Sequence, residues 1–95
     1  MLKGVTEKEY NIICEILKNF PDAKFFAYGS RVKGDFSALS DLDVLVKSDN
    51  FEEIIGNLKY QFDQSYLPYV VNFTNFNSID EKFYNLIKDD LVEIV

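Results

Sequence analysis

Apolar side chains recur along the chain at two spacings, and each spacing predicts a type of secondary structure. Apolar residues three or four positions apart indicate amphipathic helices, which are predicted at residues 7–19, after Asn50 as far as Phe62, and again after Ser78. Short runs rich in aromatic and β-branched residues indicate strands, which are predicted at 24–28, 42–46, 67–73 and 91–95. Two matches to the capping box that begins a helix are Thr6 with Glu9 and Ser78 with Glu81.

Helices that alternate with strands predict an α/β (α+β) fold in which helices flank a small mixed β-sheet. The chain has 95 residues. This length is enough for one hydrophobic core and too short for two independent ones. We therefore expect residues 1–95 to form a single domain with one functional site.

The charge of the chain limits the partners that it can bind. Ten basic and sixteen acidic residues give a formal charge of -6, which repels the phosphate backbone of nucleic acids. A nucleotide can still bind to an acidic protein when Mg²⁺ lies between carboxylates and phosphates. We therefore expect a divalent cation at any phosphate site and no direct binding to nucleic acid.

Cysteine content and hydropathy indicate the compartment. Cys14 is the single cysteine and cannot form an internal disulfide, and the chain has no histidine to activate it. We predict that Cys14 is a core residue of the first helix. The sequence contains neither the apolar run of about 18 residues that spans a membrane nor an apolar signal peptide. These features predict a soluble cytoplasmic protein without a membrane partner.

The segment between the first two predicted strands combines turn residues with groups that can bind phosphate. It reads GSRVKGDFSALSDLDVLV from Gly29 to Val46. A strand that ends in Gly29-Ser30 and enters a helical turn presents backbone N–H groups and a hydroxyl, which together can hold phosphate oxygens. Gly29 also lets a ligand approach the backbone closely.

Two carboxylates follow this turn. Asp41 and Asp43 are two positions apart on a predicted strand, so both project from one face while Leu42 and Val44 point to the other. Two like charges at this distance repel each other, and a divalent cation between them relieves the repulsion. Mg²⁺ commonly binds one or two carboxylates together with substrate phosphates, so the turn and the carboxylates predict one site.

The spacing of these groups resembles that of the polymerase-beta-like nucleotidyltransferase superfamily, whose signature is Gly-Ser, ten intervening residues and Asp-x-Asp. Gly34, the Ser40 before Asp41 and the chain length resemble the minimal nucleotidyltransferase (MNT) subgroup. The resemblance covers essentially the whole chain. It implies the fold of that superfamily for residues 1–95.

The resemblance also implies a function. Members of this subgroup are typically antitoxins of HEPN/MNT toxin–antitoxin systems, which transfer AMP from ATP to a tyrosine of a HEPN-domain ribonuclease toxin. We therefore expect ATP as substrate, Mg²⁺ as cofactor and a hetero-oligomer with the toxin. The implied catalytic and metal-binding residues are Asp41 and Asp43, and the implied nucleotide-binding residues are Gly29, Ser30, Arg31, Lys33 and Gly34. Arg31 and Lys33 have an alternative interpretation as solvated charges on a helix surface.

The third acid of the superfamily is replaced in this chain. The subgroup places that carboxylate in an apolar stretch after a Leu-Pro-Tyr-like segment, and here the stretch reads LPYVVNF from Leu67 to Phe73, with Asn72 at the third-acid position. An amide oxygen coordinates weakly and cannot accept a proton from an attacking hydroxyl. An alternative function is therefore a weakened nucleotidyltransferase that neutralises the toxin by direct binding.

Other functions fit the sequence less well. Antibiotic-modifying relatives usually carry a second domain for the acceptor, and a template-dependent polymerase needs a basic nucleic-acid channel, which the acidic chain does not supply. The C-terminal aromatic residues are predicted to pack the core or, as an alternative, to form a base-stacking platform. They are Tyr66, Tyr69, Phe73, Phe76, Phe83 and Tyr84.

Overall fold

The computed structural model of the protein describes residues 2–94. Its helices are α1 (Glu7–Leu17), α2 (Ser30–Lys33), α3 (Phe51–Asp63) and α4 (Glu81–Ile87). Its strands are β1 (Lys24–Tyr28), β2 (Leu42–Lys47), β3 (Val71–Asn75) and β4 (Val92–Ile94). Short 3₁₀ turns at Phe76–Ser78 and Lys88–Asp90 stand on either side of α4. The order of the elements confirms the predicted α+β class.

The strands form one mixed sheet in the order β3-β2-β1-β4. β1 pairs antiparallel with both β2 and β4, whereas β2 and β3 are parallel and α3 connects them. A parallel pair needs a long crossover, and a helix commonly provides it. The predicted small mixed sheet with flanking helices is therefore confirmed.

One face of the sheet carries the hydrophobic core beneath α1 and α3. Ile13 of α1 and Leu58 of α3 are fully buried against side chains that alternate along β1 and β2. The Thr6–Glu9 capping box begins α1 as predicted, with the Thr6 hydroxyl accepting from Glu9 N and the Glu9 carboxylate accepting from Thr6 N. The buried side chains of this face anchor β2, and Asp43 projects from the opposite face, where Leu45 is buried as well.

The opposite face is covered in part by aromatic side chains from the C-terminal segment. Phe83 packs edge-on against Tyr28 of β1 with ring centroids 5.9 Å apart, and Phe76 packs against both Phe26 and Tyr84. These contacts favour the packing interpretation of the aromatic residues over a base-stacking platform. Tyr66 is different, because 94% of its surface is exposed.

Several predicted boundaries are wrong, and the end of β3 is Asn75 and not Phe73. β3 begins at Val71 and not at Leu67; Pro68 has no N–H to donate to a ladder, and residues 67–70 form a loop instead. The cap of α4 is Asp80, whose carboxylate accepts from Phe83 N, and not Ser78, which lies in the preceding turn. α1 ends at Leu17, two residues before the predicted end.

Two further details concern the remaining predictions. Asn50 stands at the cap of α3 but makes no capping hydrogen bond, because its side chain pairs with the Ser48 hydroxyl. The last strand covers Val92–Ile94, and Val95 lies outside the described residues. Between residues 2 and 94, no helix has the length and apolar character needed to cross a membrane.

Candidate functional site

The structure brings three polar side chains together where β2 and β3 begin. Asp43 pairs with Asn72 across the parallel β2–β3 ladder, so both side chains lie on the same face. Asp41 precedes β2 by one residue and projects from that face too. The Asn72 Nδ2 atom donates to Asp41 Oδ2 at 2.9 Å and to Asp43 Oδ1 at 3.4 Å. Both carboxylates therefore converge on one amide nitrogen.

The alternation of β2 holds the carboxylates away from the core. Leu42, Val44 and Val46 are buried on the opposite face, as the sequence predicts. Asp43 itself is half-buried, and this burial raises the pKa of its carboxyl. The Asn72 hydrogen bond acts in the other direction, whereas the negative charge of Asp41 raises that pKa further. A cation at this place would offset both the cost of burying the Asp43 carboxylate and its repulsion from Asp41.

The Gly29-Ser30 turn approaches these carboxylates from β1. Gly29 has φ +87°, in a region that side chains rarely allow, and a Cβ added there would stand 2.8 Å from Asp43 Oδ2. The carboxylate therefore packs directly against the glycine backbone. Ser30 begins α2 immediately after this contact. The predicted turn and the predicted carboxylates thus form one continuous surface.

Arg31 is buried, and its guanidinium is bonded to the main chain. It is only 4% exposed, so the alternative of a solvated surface charge is wrong for this residue. Its guanidinium donates to the main-chain carbonyls of Gly4, Ser37, Ala38 and Ser40. A role for Arg31 in binding phosphate stays a prediction that these main-chain contacts do not favour.

Lys33 and Gly34 complete the turn without contacting the carboxylates through a described bond. The Lys33 ammonium lies 3.9 Å from Asp90 Oδ2 and its side chain is about half exposed, which fits a solvated charge. Gly34 has φ +100° and ends α2, where its N–H donates to Ser30 O at 2.8 Å. Left-handed backbone at a helix end favours glycine, so Gly34 has a structural reason to be present.

One neighbour of the site was not predicted. Tyr28 stands opposite Asp43 in the β1–β2 register, and its hydroxyl is hydrogen-bonded to Thr74. Burial raises the pKa of Tyr28, and the charge of Asp43 raises it further. The signal was present in the sequence, because antiparallel pairing of the two predicted strands around the turn brings the end of one beside the start of the other.

The donor set supplies part of the ligand shell of Mg²⁺, which water or substrate phosphates would complete. Asp41 and Asp43 offer hard carboxylate oxygens that already converge on one atom, and Mg²⁺ commonly uses one or two carboxylates plus phosphates. Among residues 2–94, no three side chains of the His, Cys, Asp and Glu types gather as a metal-binding group. The Asn72 amide would also have to turn its oxygen towards the cation, because its NH₂ group faces the carboxylates.

Comparison with known proteins supplies the family. The profile of the nucleotidyltransferase domain family matches residues 10–94, which include the turn, both carboxylates and Asn72. The chain belongs to the nucleotidyltransferase domain family. Within this nucleotidyltransferase domain, the structure brings the Gly29-Ser30 turn next to the Asp41 and Asp43 carboxylates.

One named relative agrees with this assignment, and one solved structure is similar in part. The chain is 32% identical over 93 residues to a protein of Haemophilus influenzae named probable protein adenylyltransferase MntA, covering 95% of this chain and 82% of that protein. A solved structure of a candidate nucleotidyltransferase from Sulfolobus solfataricus matches 88% of this chain and 73% of its own at 22% identity, with a TM-score of 0.49.

Proposed function

We propose that this nucleotidyltransferase transfers AMP from ATP to a tyrosine of a HEPN-domain toxin, with Mg²⁺, and thereby acts as its antitoxin. The observation that carries the proposal is the convergence of the Asp41 and Asp43 carboxylates beside the Gly29-Ser30 turn. The similarity to a relative named as a protein adenylyltransferase supports AMP as the group and a protein as the acceptor.

The proposed reaction exchanges one bond at the α-phosphorus of ATP for another. The tyrosine oxygen forms a bond to that phosphorus, the bond to the bridging oxygen breaks, and pyrophosphate leaves. The phenolic proton passes to a base or to solvent. Asp41 and Asp43 would hold Mg²⁺, and the Gly29-Ser30 turn would hold the triphosphate. When bound, Mg²⁺ neutralises phosphate charge and favours attack on the phosphorus.

Asn72 sets the limit on the rate of this reaction. A carboxylate at that position could take the phenolic proton, whereas a neutral amide cannot. General-base catalysis contributes about 10² to 10⁴ in rate. We therefore expect transfer that is slower than with a carboxylate at position 72 by a factor of this order.

A second candidate function follows from the same residue. The Asn72 NH₂ group bonds to both carboxylates and so occupies the position towards which a cation would be drawn. A protein in which this arrangement persists would not transfer AMP and would neutralise the toxin by direct binding alone. The first function predicts that the toxin gains AMP, and the second predicts that it does not.

Intact-mass spectrometry of the toxin separates them. The toxin is incubated with ATP, Mg²⁺ and the natural chain, or with Asp41→Ala, Asn72→Asp or Leu39→Ala. Leu39 is 92% exposed in the loop before Asp41, so Leu39→Ala is a matched surface control for Asp41→Ala. Added AMP with the natural chain and with Leu39→Ala, but not with Asp41→Ala, supports the transferase. AMP addition by Asn72→Asp alone supports neutralisation by binding.

A further inference from the structure

A single buried guanidinium holds the loop that leads into the candidate site. Arg31 donates from Nε to Ser40 O at 2.9 Å and from Nη2 to Ser37 O at 3.2 Å and Ala38 O at 3.4 Å. Its Nη1 donates to Gly4 O at 2.7 Å, and Gly4 N donates back to Arg31 O. One side chain therefore joins the N-terminal segment to three carbonyls of the 37–40 loop.

The guanidinium is fixed from its flat face as well. It stacks over the Tyr69 ring at 3.8 Å from the centroid, with Phe36 at 5.2 Å. The Tyr69 hydroxyl in turn donates to the Glu9 carboxylate, which also caps α1. Stacking and forked hydrogen bonding are properties of arginine that lysine does not reproduce. A lysine at position 31 would therefore lose the stacking on Tyr69 and the forked hydrogen bonds.

These contacts end at the residue before Asp41. The Ser40 carbonyl is held by Arg31, and the next residue after Asp41, Leu42, donates its N–H to Val70 O at 2.9 Å. Asp41 is thus the single residue between two anchored peptide units. Its carboxylate can remain directed at the Asn72 amide only while both anchors hold.

We propose that Arg31 is a positioning residue, which directs the Asp41 carboxylate and so sets the affinity of the site for a divalent cation. The inference rests on the proposed function in one respect, namely that Asp41 is a cation ligand. It replaces the expectation that Arg31 binds phosphate, because the guanidinium donates to main-chain carbonyls and is buried. Arg31 acts through Asp41 and does not touch the reacting atoms.

Loss of the Arg31 charge and loss of its hydrogen bonds should change the cation affinity of the site in opposite directions. Arg31→Met removes a positive charge from the turn that leads to the two carboxylates, and by charge alone this change would strengthen cation binding. Loss of the anchor at Ser40 would weaken it, because supporting groups behind metal ligands commonly contribute about 10- to 100-fold in affinity. The sign of the change therefore reports which effect dominates.

The experiment measures Mn²⁺ binding by electron paramagnetic resonance of the free ion, without nucleotide. Arg31→Met is compared with the natural chain and with Lys24→Met, which removes the same charge from the exposed far end of β1. We expect Arg31→Met to weaken Mn²⁺ binding about tenfold and Lys24→Met to leave it unchanged. Unchanged or tighter binding in Arg31→Met would overturn the proposal.

A second variant and a second readout cover loss of folding or of metal binding. Arg31→Lys keeps the charge but not the fork, and we expect weakened Mn²⁺ binding in a folded protein; natural affinity in Arg31→Lys would overturn the inference. Hydrogen exchange of the 37–42 amides should accelerate in the same variant while α3 is unchanged. If the natural chain binds no Mn²⁺, the proposed metal site is wrong. Unchanged hydrogen exchange of the 37–42 amides in Arg31→Lys would separately contradict the role of Arg31 in holding this loop.

Discussion

Asn72→Asp would place a third carboxylate within hydrogen-bonding distance of both Asp41 and Asp43. In the natural chain the Asn72 NH₂ group donates to Asp41 at 2.9 Å and to Asp43 at 3.4 Å. The substitution changes this donor into a third acceptor with a negative charge. Without a cation, hydrogen bonds are exchanged for repulsion, so we expect the variant to be less stable than the natural chain.

The size of the effect follows from the two bonds. A hydrogen bond to a charged group contributes about 1.5 to 3 kcal/mol, and solvent screening at this partly exposed site reduces that value. Only the 2.9 Å bond to Asp41 has good length, so its loss costs about 1 kcal/mol. Repulsion from the added charge contributes about 1 kcal/mol more, because protonation limits it. We therefore expect a loss of about 2 kcal/mol in EDTA.

The assay is thermal unfolding in EDTA and again with increasing Mg²⁺. For a domain of this size about 2 kcal/mol corresponds to a fall of roughly 8–16 °C in Tm. Mg²⁺ should restore more stability to Asn72→Asp than to the natural chain, because the added carboxylate raises cation affinity and binding stabilises the folded state. Asn72→Ala is the control that removes the hydrogen bonds without adding charge.

Two results would contradict a role of Asn72 in holding the carboxylates and binding the cation. If Asn72→Asp were as stable as the natural chain in EDTA, the amide would not be holding the carboxylates together. If Mg²⁺ raised the Tm of both chains equally, position 72 would not contribute to the cation site. We expect Asn72→Ala to lie between the other two chains in EDTA and to gain less from Mg²⁺ than Asn72→Asp does.

Three further predictions concern the backbone, the buried network and the core. Gly29→Ala should lower the free energy of unfolding by about 1–3 kcal/mol and weaken Mg²⁺ binding, because the new Cβ would meet Asp43. Gly56 has open space around it, so Gly56→Ala should instead raise the free energy of unfolding by up to about 1 kcal/mol. Tyr69→Phe should cost about 1–2 kcal/mol at neutral pH through its lost bond to a carboxylate. Burial raises the pKa of Tyr69. The stability that the protonated phenol contributes is therefore complete below about pH 10 and declines above it. Unfolding measured at pH 9–11 should show a smaller decline in Tyr69→Phe than in the natural chain. Leu45→Ala should cost about 2–5 kcal/mol in urea unfolding, because Leu45 is fully buried; a loss under 1 kcal/mol would contradict its place in the core.

The parts of the site that follow strand periodicity were predictable. Alternation along 42–46 placed Asp43 opposite the buried Leu42 and Val44, and the structure has them so. The position of Asn72 beside Asp43 was expected only from family resemblance, because parallel pairing of β2 and β3 depends on a crossover that the local sequence does not encode. The start of β3 was missed for a local reason, the missing N–H of Pro68.

The burial of Arg31 was not predictable from its neighbours in sequence. An arginine in a short polar turn is normally solvated. Here its partners are Gly4, 27 positions away, and Tyr69, which arrives from the loop before β3. Such contacts exist only after the sheet has formed, so no local pattern could separate a phosphate-binding arginine from one that holds a loop.

Parallel incubations with labelled ATP test whether this nucleotidyltransferase transfers AMP to the toxin. The HEPN toxin, Mg²⁺ and the natural chain are incubated with ATP labelled at the α-phosphate or at the γ-phosphate, with Asp41→Asn as the inactive control. We predict α-label on the toxin, γ-label released with pyrophosphate, and neither label transferred by Asp41→Asn. Absence of α-label from the toxin, or α-label transferred equally well by Asp41→Asn, would contradict it.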